Sequence, residues 1–438
     1  MPVRMQLARR SSLIRLLCRL AAIVCVSGSV ACGEGATARS EERAPPAPAR
    51  EKPPEQPGQV APVQPAEAIA KPGVDAIPGR KSSAISPPHA ETAPAPKLES
   101  VQRSRQMMGT IIQMTAVGMP PDQARPALDA ALDEMQRLDG LLSEWKPDSD
   151  VSKVNEAAGR EPVHVGPELL DNVRVGLQVA RWSDGAFDLS WAALRGLYLF
   201  QPGQERVPTD KELKEHLKLV NYRDIVLDEK NQTVFLRRKG MQLGLGGIAK
   251  GYALEKAANL LRERGVQNYM IFGGGQVLVN GHKGDRAWRV GVQHPRMNDY
   301  FGFVEAEGGS IATSGDYEHA FIKDGKRWHH IIDLRTGRPV QHTASVTVVS
   351  DSAFYADAID TALFIMGAKK ALAKLATAPG PPAEVLIVDS DMRLHMSPGM
   401  QKRLILRANL RDGKLEMPNP DAPAGALPAL PPGVQTAK

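Results

Sequence analysis

The most informative stretch of this 438-residue chain is Leu243-Gly-Leu-Gly-Gly-Ile-Ala-Lys-Gly-Tyr252, between a predicted strand and a predicted helix. The helix runs from Ala249 to Arg264, and Gly265 ends it. Glycines at such a junction let the backbone approach a phosphate closely, and the helix N-terminus and Lys250 favour an anion there. The same glycines also suit a tight turn that needs positive φ angles. Because the spacing matches neither a P-loop nor the dinucleotide fingerprint, both interpretations stay open.

Strands and helices are mixed irregularly on both sides of this stretch. Apolar residues at helical spacing follow Pro121 as far as Leu142, and a second helix is predicted from Pro167 to Trp182. A third is predicted from Ala356 to Met366. Apolar and β-branched runs predict strands at 110–117, 224–227, 233–236, 269–272, 276–279, 288–292, 344–349 and 384–388. Because strict alternation is absent, we predict an α+β fold, a single large domain of mixed sheets and helices.

The basic character of the chain comes from its N-terminus. Lys and Arg number 55 against 49 Asp and Glu, a net charge of +6. Residues 1–31 contain five arginines and no acidic residue, so the rest carries 50 basic against 49 acidic residues, or +1. A near-neutral remainder excludes a general nucleic-acid binder.

Residues 1–31 are typical of an export signal, with a basic start followed by the apolar run Leu20–Ala31. Small residues and then Cys32 resemble a bacterial lipoprotein cleavage site, although Ser29 stands where Leu is usual. We therefore expect Cys32 to be lipidated and the protein to lie on the periplasmic side of a bacterial cell membrane. Plain secretion and an uncleaved anchor helix are the alternatives, the second weakened because the run is short for a membrane span.

The segments that flank the folded region have a composition that cannot bury a core. Residues 41–100 contain 14 of the 35 prolines, so we predict a disordered tether over 32–100. A Pro-rich tail is predicted over 413–438, which leaves 101–412 as the folded domain. The three cysteines lie at positions 18, 25 and 32, so the folded domain has no disulfide or cysteine site.

A second informative motif is Ala356-Asp-Ala-Ile-Asp-Thr361. Asp357 and Thr361 are four residues apart and share a helix face, with Asp360 beside them. Carboxylate, hydroxyl and nearby carbonyl oxygens are the ligands that Mg²⁺ takes. The alternative is a first helical turn in which acids are favoured by the helix dipole.

Two further motifs have both a chemical and a structural interpretation. His329-His330-Ile-Ile-Asp333, followed by Arg335, supplies a base, an acid and a cation, or else marks a strand that enters a turn, and we prefer a structural role for His329. In Ser183-Asp-Gly-Ala-Phe-Asp-Leu-Ser190, Gly185 can end a helix and either Asp188 or Ser190 can cap the next element.

These motifs gain weight from their order. The set resembles the ApbE family of FAD:protein FMN transferases over roughly 103–395. The matching motifs are Met108-Gly109-Thr110, Leu142-Ser-Glu-Trp145, Asp148-Ser149 with Val154-Asn155, Gly185-Ala-Phe-Asp188, Gly246-Gly-Ile-Ala-Lys-Gly-Tyr252, Gly273-Gly-Gly275, Thr313-Ser-Gly-Asp316, His330-Ile-Ile-Asp333 with Arg335-Thr-Gly337, and Ala356-Asp-Ala-Ile-Asp-Thr361.

The resemblance implies an activity and a fold. Members bind FAD and Mg²⁺, split the pyrophosphate, release AMP and join FMN to a Thr or Ser of an acceptor protein, typically a subunit of a membrane redox complex. Their α+β architecture is related to the tunnelling fold. The implied partners of this chain are thus FAD, such an acceptor subunit and, through the lipid, a membrane.

The resemblance also implies roles for individual residues. The Mg²⁺ ligands would be the Asp357 and Thr361 side chains and the Gly247 carbonyl, with Asp360 joining directly or through water. His330, with Asp333 three residues further on, is the candidate catalytic pair, and His330 the base. The positions that match FAD contacts are Met108, Trp145, Ala186, Phe187, Asp188, Gly244, Lys250 and Ile331.

The chain departs from the family pattern at three places. Gly244 stands where the family has an Asp that contacts FAD, Leu334 replaces a Pro, and Ser190 replaces a Thr. The metal residues are intact, so the prediction is an active FMN transferase. A Mg²⁺-dependent FAD pyrophosphatase that yields FMN and AMP, and a non-catalytic FAD-binding lipoprotein, are the alternatives.

Overall fold

The computed structural model of the chain describes residues 99–408 and 410–416. The predicted signal and Cys32 lie outside the described residues, as do residues 33–98 of the predicted tether and the tail from residue 417. The tether was predicted to extend to residue 100, but Ser100 already begins the first strand of the fold. The fold continues past the predicted boundary at residue 412, because Leu415 is buried in the core. No helix in the described ranges has both the length and the apolar character to cross a membrane.

The helices follow from local sequence signals. Proline at the first position opens the two longest helices, where a missing N–H costs nothing, and the predicted bounds of both are confirmed. Numbered in chain order, the helices of the described part are α1 (Pro121–Leu142), α2 (Asp150–Glu156), α3 (Pro167–Trp182), α4 (Asp210–Leu217), α5 (Ala249–Glu263), α6 (Ala353–Met366), α7 (Ala368–Lys374) and α8 (Pro398–Arg403). Short 3₁₀ segments occupy Leu189–Leu194, Tyr222–Asp224 and Leu375–Thr377.

The centre of the fold is an eight-stranded antiparallel sheet. In spatial order its strands, numbered along the chain, are β1 (Ser100–Met107), β2 (Thr110–Val117), β6 (Tyr269–Gly273), β7 (Gln276–Asn280), β11 (Gly308–Gly315), β16 (Thr343–Ser350), β17 (Ala383–Asp389) and β18 (Leu394–Met396).

Smaller sheets surround this one. A four-stranded sheet has the order β19 (Leu404–Leu406), β10 (Tyr300–Ala306), β9 (Arg286–Gln293), β8 (His282–Lys283). A three-stranded sheet has the order β3 (Val163–His164), β5 (Thr233–Leu236), β4 (Ile225–Asp228). Three pairs complete the described strands: β12 (Ala320–Lys323) with β13 (Lys326–His329), β14 (Ile332–Asp333) with β15 (Arg338–Pro339), and β20 (Leu410–Arg411) with β21 (Lys414–Leu415).

The central sheet is buried on both faces, which gives a three-layer arrangement. Along β17, Val385 and Ile387 pack with the residues of α1, α5 and α6, whereas Leu386 and Val388 pack with Trp288 of β9 on the opposite face. This alternation places helices on one face and the four-stranded sheet on the other. The predicted α+β class is confirmed.

Candidate functional site

Three of the four predicted metal residues, Asp357, Asp360 and Thr361, lie together on α6. Asp357 and Asp360 are 6% and 3% exposed, although both are acidic. The hydroxyl of Thr361 donates to Asp360 Oδ1 at 3.1 Å and lies 3.5 Å from the hydroxyl of Ser314, on β11. We call Ser314, Asp357, Asp360 and Thr361 the acid cluster.

The acid cluster does not owe its position to the helix dipole. Ser352 caps α6 by accepting a hydrogen bond from the Tyr355 N–H, so Asp357 lies beyond the first turn. The interpretation of these acids as dipole-stabilised first-turn residues is therefore wrong. The helix begins three residues before the predicted start at Ala356, because Ser352 caps it.

Close packing of two helices fixes Asp357. A Cβ on Gly251 of α5 would lie 2.2 Å from the Ala353 carbonyl oxygen and 2.7 Å from Asp357 Cβ, so only glycine permits this approach. The Gly251 N–H, in the first turn of α5, donates to Asp357 Oδ2 at 2.9 Å. The positive end of α5 thus faces a buried carboxylate of α6.

The glycine-rich turn before α5 completes this arrangement. A Cβ built on Gly247 would lie 3.6 Å from the Thr361 hydroxyl and 3.2 Å from the Phe187 ring. Gly244, Gly246 and Gly247 all have negative or extended φ values, so the expected positive φ angles are absent here. The glycines serve close approach instead. The segment before the turn is irregular, not a strand, since β5 ends at Leu236.

Two buried acids side by side require a compensating positive charge. Burial raises the pKa of Asp357, and burial together with repulsion from Asp357 raises that of Asp360 well above its usual range. Lys250, at the start of α5, opposes both shifts. Within the described ranges no three His, Cys, Asp or Glu side chains group in a way that would hold a metal. The donors here are two carboxylates and two hydroxyls, next to the turn at Gly247, and these hard oxygen donors fit a divalent cation.

His330 directly follows β13 and borders this site. The rings of His319 and His330 meet edge to face with centroids 5.3 Å apart, and the His330 N–H donates to the His319 carbonyl. Part of His330 is exposed to solvent, but protein atoms lie close around its ring. This burial is the main cause that lowers the pKa of His330, and the nearby His319, His329 and Lys250 lower it further. A neutral imidazole at neutral pH accepts a proton.

His329 and Asp333 have structural contacts. His329 is buried, its Nε2–H donating to the Val340 carbonyl at 2.6 Å and its Nδ1 accepting from the Ile331 N–H at 3.3 Å. Burial opposes the charge of Asp333, but hydrogen bonds from Arg335 lower its pKa overall. The Asp333 carboxylate thus holds Arg335, while the Asp333 backbone carbonyl closes the turn by accepting from the Thr336 and Gly337 N–H groups. The predicted catalytic role of Asp333 stays a prediction.

Of two further predicted flavin-contacting residues, Trp145 is exposed and Met108 is half-buried. Trp145 is 72% exposed, and the Arg195 guanidinium stands over its ring at 4.9 Å. Met108 has a positive φ of 52° in the turn between β1 and β2 and is half-buried. An aromatic ring this exposed is available to stack on a planar ligand.

The remaining predicted contacts are mostly buried. Phe187 and Ile331 are 5% and 4% exposed, and Ala186 is half-buried. Asp188 caps the 3₁₀ segment, as the capping interpretation predicted, because its carboxylate accepts from the Ser190 N–H and hydroxyl and from the Tyr222 N–H. Burial raises the pKa of Asp188, and these hydrogen bonds partly offset the rise.

Sequence reasoning gave no role to Ser314 or Asn155, although both lay in quoted motifs. The Asn155 side chain pairs with the backbone of Leu243, accepting from its N–H at 2.6 Å and donating to its carbonyl at 3.0 Å. This pairing fixes the chain just before the glycine-rich turn. Only the motif order could have indicated these residues, since a lone Ser or Asn carries no local signal.

The fold and site define a class: an α+β protein whose buried oxygen ligands, helix N-terminus, lysine and adjacent histidine suit reactions at phosphate. The model of the ApbE family matches residues 108–385, well over half of the chain, and the chain belongs to this family.

Relatives and solved structures agree with this assignment. The chain is 34% identical over 244 residues to an FAD:protein FMN transferase of Klebsiella pneumoniae, covering 55% of this chain and 76% of the relative. It is 31% identical over 327 residues to one of Treponema pallidum, covering 70% and 90%. The structure resembles the ApbE protein of Thermotoga maritima with a TM-score of 0.64 and 31% identity, over 70% of this chain and 99% of that one.

Proposed function

We propose that this chain transfers FMN from FAD to a Thr or Ser hydroxyl of an acceptor protein, with Mg²⁺ bound at the acid cluster and AMP released. The observation that carries the proposal is the convergence of the acid cluster, the N-terminus of α5 with Lys250, and His330. The names of the ApbE relatives support flavin transfer in particular.

The proposed reaction exchanges one phosphoester linkage for another. The acceptor oxygen attacks the phosphorus on the FMN side of the pyrophosphate, and the bridging P–O bond breaks so that AMP leaves with the bridging oxygen. His330 takes the hydroxyl proton, since its lowered pKa keeps it neutral. Lys250 and the α5 N-terminus bind the phosphate charge. Bound at Asp357, Asp360, Thr361 and Gly247, Mg²⁺ would supply charge neutralisation to the pyrophosphate.

Hydrolysis of FAD is the second candidate function. The observation that supports it is the exposure of His330 to solvent. Water that reaches this imidazole would replace the acceptor hydroxyl and give free FMN and AMP. A non-catalytic flavin-binding protein is the third candidate, because Gly244 lacks the carboxylate usual in the family.

One experiment separates the three candidates. The full chain in detergent is incubated with FAD, Mg²⁺ and an acceptor subunit of a membrane redox complex, beside the same acceptor with its target Thr changed to Val. A flavin-fluorescent acceptor band on a denaturing gel, absent from the Val control, supports transfer. Release of AMP and FMN without labelling supports hydrolysis, and unchanged FAD contradicts both enzymatic functions.

We also propose that the enzyme acts at the periplasmic face of a bacterial membrane, held by lipid on Cys32. The support is the basic and apolar sequence of residues 1–31 and the small residues before Cys32. Expression of the full chain and of Cys32→Ser tests this. The wild type should enter the detergent phase after membrane extraction, and an equal distribution of both proteins would contradict the lipid anchor.

A further inference from the structure

Trp191 occupies the space that a side chain at position 244 would need. A Cβ on Gly244 would lie 2.9 Å from both Cε2 and Nε1 of the Trp191 indole and 2.8 Å from Ala192 Cβ. A rigid ring and a short side chain held by the 3₁₀ segment cannot give way as a flexible chain end can. Position 244 therefore has to be glycine while the indole is in place.

The indole is anchored along one edge. Its Nε1–H donates to the Gly244 carbonyl at 3.1 Å, and the Gly244 N–H donates to the Leu189 carbonyl at 2.8 Å. The ring continues to the exposed Gly246, where a Cβ would lie 3.5 Å from Trp191 Cζ2. The residue as a whole stays half-buried. The partly exposed indole therefore lies beside the turn that meets the acid cluster.

The surroundings of the indole are aromatic and cationic. Arg195, one turn after Trp191, donates to Gln242 Oε1 at 3.2 Å and stands over the Trp145 ring. Its Nε is buried without a hydrogen-bond partner among the described residues. We call Trp145, Trp191 and Arg195 the aromatic rim. The Arg195 guanidinium links the Trp145 ring to Gln242, and the Trp191 indole is bonded to Gly244 in the same segment. The aromatic rim is therefore a surface suited to planar rings.

We propose that Trp191 is a specificity-determining residue that recognises an aromatic ring of FAD by stacking, in place of a side chain at position 244. This inference rests on the proposed function in that FAD is the ligand. A carboxylate at position 244 would recognise N–H donors on the ligand's ring. The Trp191 indole N–H is already bonded to the Gly244 carbonyl, so the indole recognises the ligand by the area of the ring that stacks on it. Affinity at this position then depends on the extent of the ring more than on its hydrogen-bonding groups.

Equilibrium binding tests this without turnover. FAD and FMN are each titrated into the full chain in detergent with flavin fluorescence as the readout, and the Kd for ADP is obtained from its displacement of bound FAD. Trp191→Ala should raise the Kd for FAD by roughly tenfold or more, and Trp191→Phe by no more than about threefold. FMN and ADP represent the two halves of FAD, and the one whose Kd rises in Trp191→Ala carries the stacked ring. The matched control is Trp182→Ala, a half-buried tryptophan on α3 that bonds to Lys374 instead.

A structural role alone would give a different result. If Trp191→Ala lowers the melting temperature but leaves the Kd values of the folded protein unchanged, the proposal is overturned. Gly244→Asp should lower the melting temperature most with Trp191 present and by less in a Trp191→Val background, where only the contact with Ala192 Cβ remains, and additive losses would contradict the claim of shared space. A chain that binds FAD through Trp191 but labels no acceptor would overturn the proposed transfer alone. A wild-type chain that binds no FAD would overturn both.

Discussion

The acid cluster and the aromatic rim, which we propose to be two parts of one site, are built in opposite ways. The carboxylates of the acid cluster are almost fully buried, whereas Trp145 of the rim is 72% exposed. The cluster lies on α6 and β11 and is fixed by helix packing, whereas the rim lies on a loop and a 3₁₀ segment. Chemistry on phosphate needs fixed charges in a dry setting, and ring binding tolerates an adjustable surface. We therefore expect substitutions in the cluster to abolish turnover and substitutions in the rim to alter affinity.

The strongest test of this contrast is Asp357→Asn. Transfer should fall by roughly 10³-fold or more, because a cation ligand is lost while the volume is kept. The melting temperature should stay the same or rise, since repulsion with Asp360 is relieved. Acceptor labelling and thermal unfolding measure the two effects, with the exposed Asp351→Asn as the control. Full activity of Asp357→Asn would refute the metal assignment.

The next largest effect is expected for His330→Gln. Transfer should fall by roughly 10²-fold, the lower end for loss of a general base, with the Kd for FAD little changed. Because the pKa of His330 is lowered, the wild-type rate should be flat near neutral pH and fall only as the pH drops below the ordinary histidine value of about 6.5. A pH–rate profile without that acid limb, or a fully active His330→Gln, would remove His330 as the base.

Gly251→Ala tests the packing that fixes the acid cluster. A methyl group directed at the Ala353 carbonyl should cost roughly 1–3 kcal/mol of stability and reduce transfer by roughly tenfold through displacement of Asp357. Gly140→Ala, in α1 with nothing within 4 Å, is the matched control and should be neutral or stabilising by roughly 0.5–1 kcal/mol. Chemical denaturation gives both values, and equal effects of the two variants would mean that helix propensity, not packing, decides.

The smallest effect is expected for Asp333→Asn. Its partner Arg335 is 67% exposed, so loss of this ion pair should cost less than about 1 kcal/mol and change transfer only a few-fold. Labelling rates beside those of His330→Gln measure this. A loss as large as that of His330→Gln would instead establish Asp333 as a member of the catalytic pair.

Sequence alone sufficed where local signals agree. The bounds of α1 and α3 follow from prolines at their starts and an apolar repeat, and α6 needed only recognition of Ser352 as its cap. Strand β1 was missed because its sequence is mostly polar and its residues mostly exposed, which is what an outer strand permits.

The site could be predicted only in part, because its decisive contacts are long-range. The motif order identified Asp357, Asp360 and Thr361, which are neighbours in sequence. Nothing local shows that Trp191 fills the space at Gly244, 53 residues away, or that Ser314 meets Thr361, 47 residues away. These pairs depend on the tertiary fold, so their members look unremarkable one at a time.

The hydrogen bond from Gly251 to Asp357 spans 106 residues, and this separation has a kinetic consequence. Contacts between distant residues form late in folding because their loops are costly to close. A newly made chain would therefore complete its helices and hairpins before it possesses a working site. An unfinished molecule would leave the flavin nucleotide intact, and only the fully folded form could consume it.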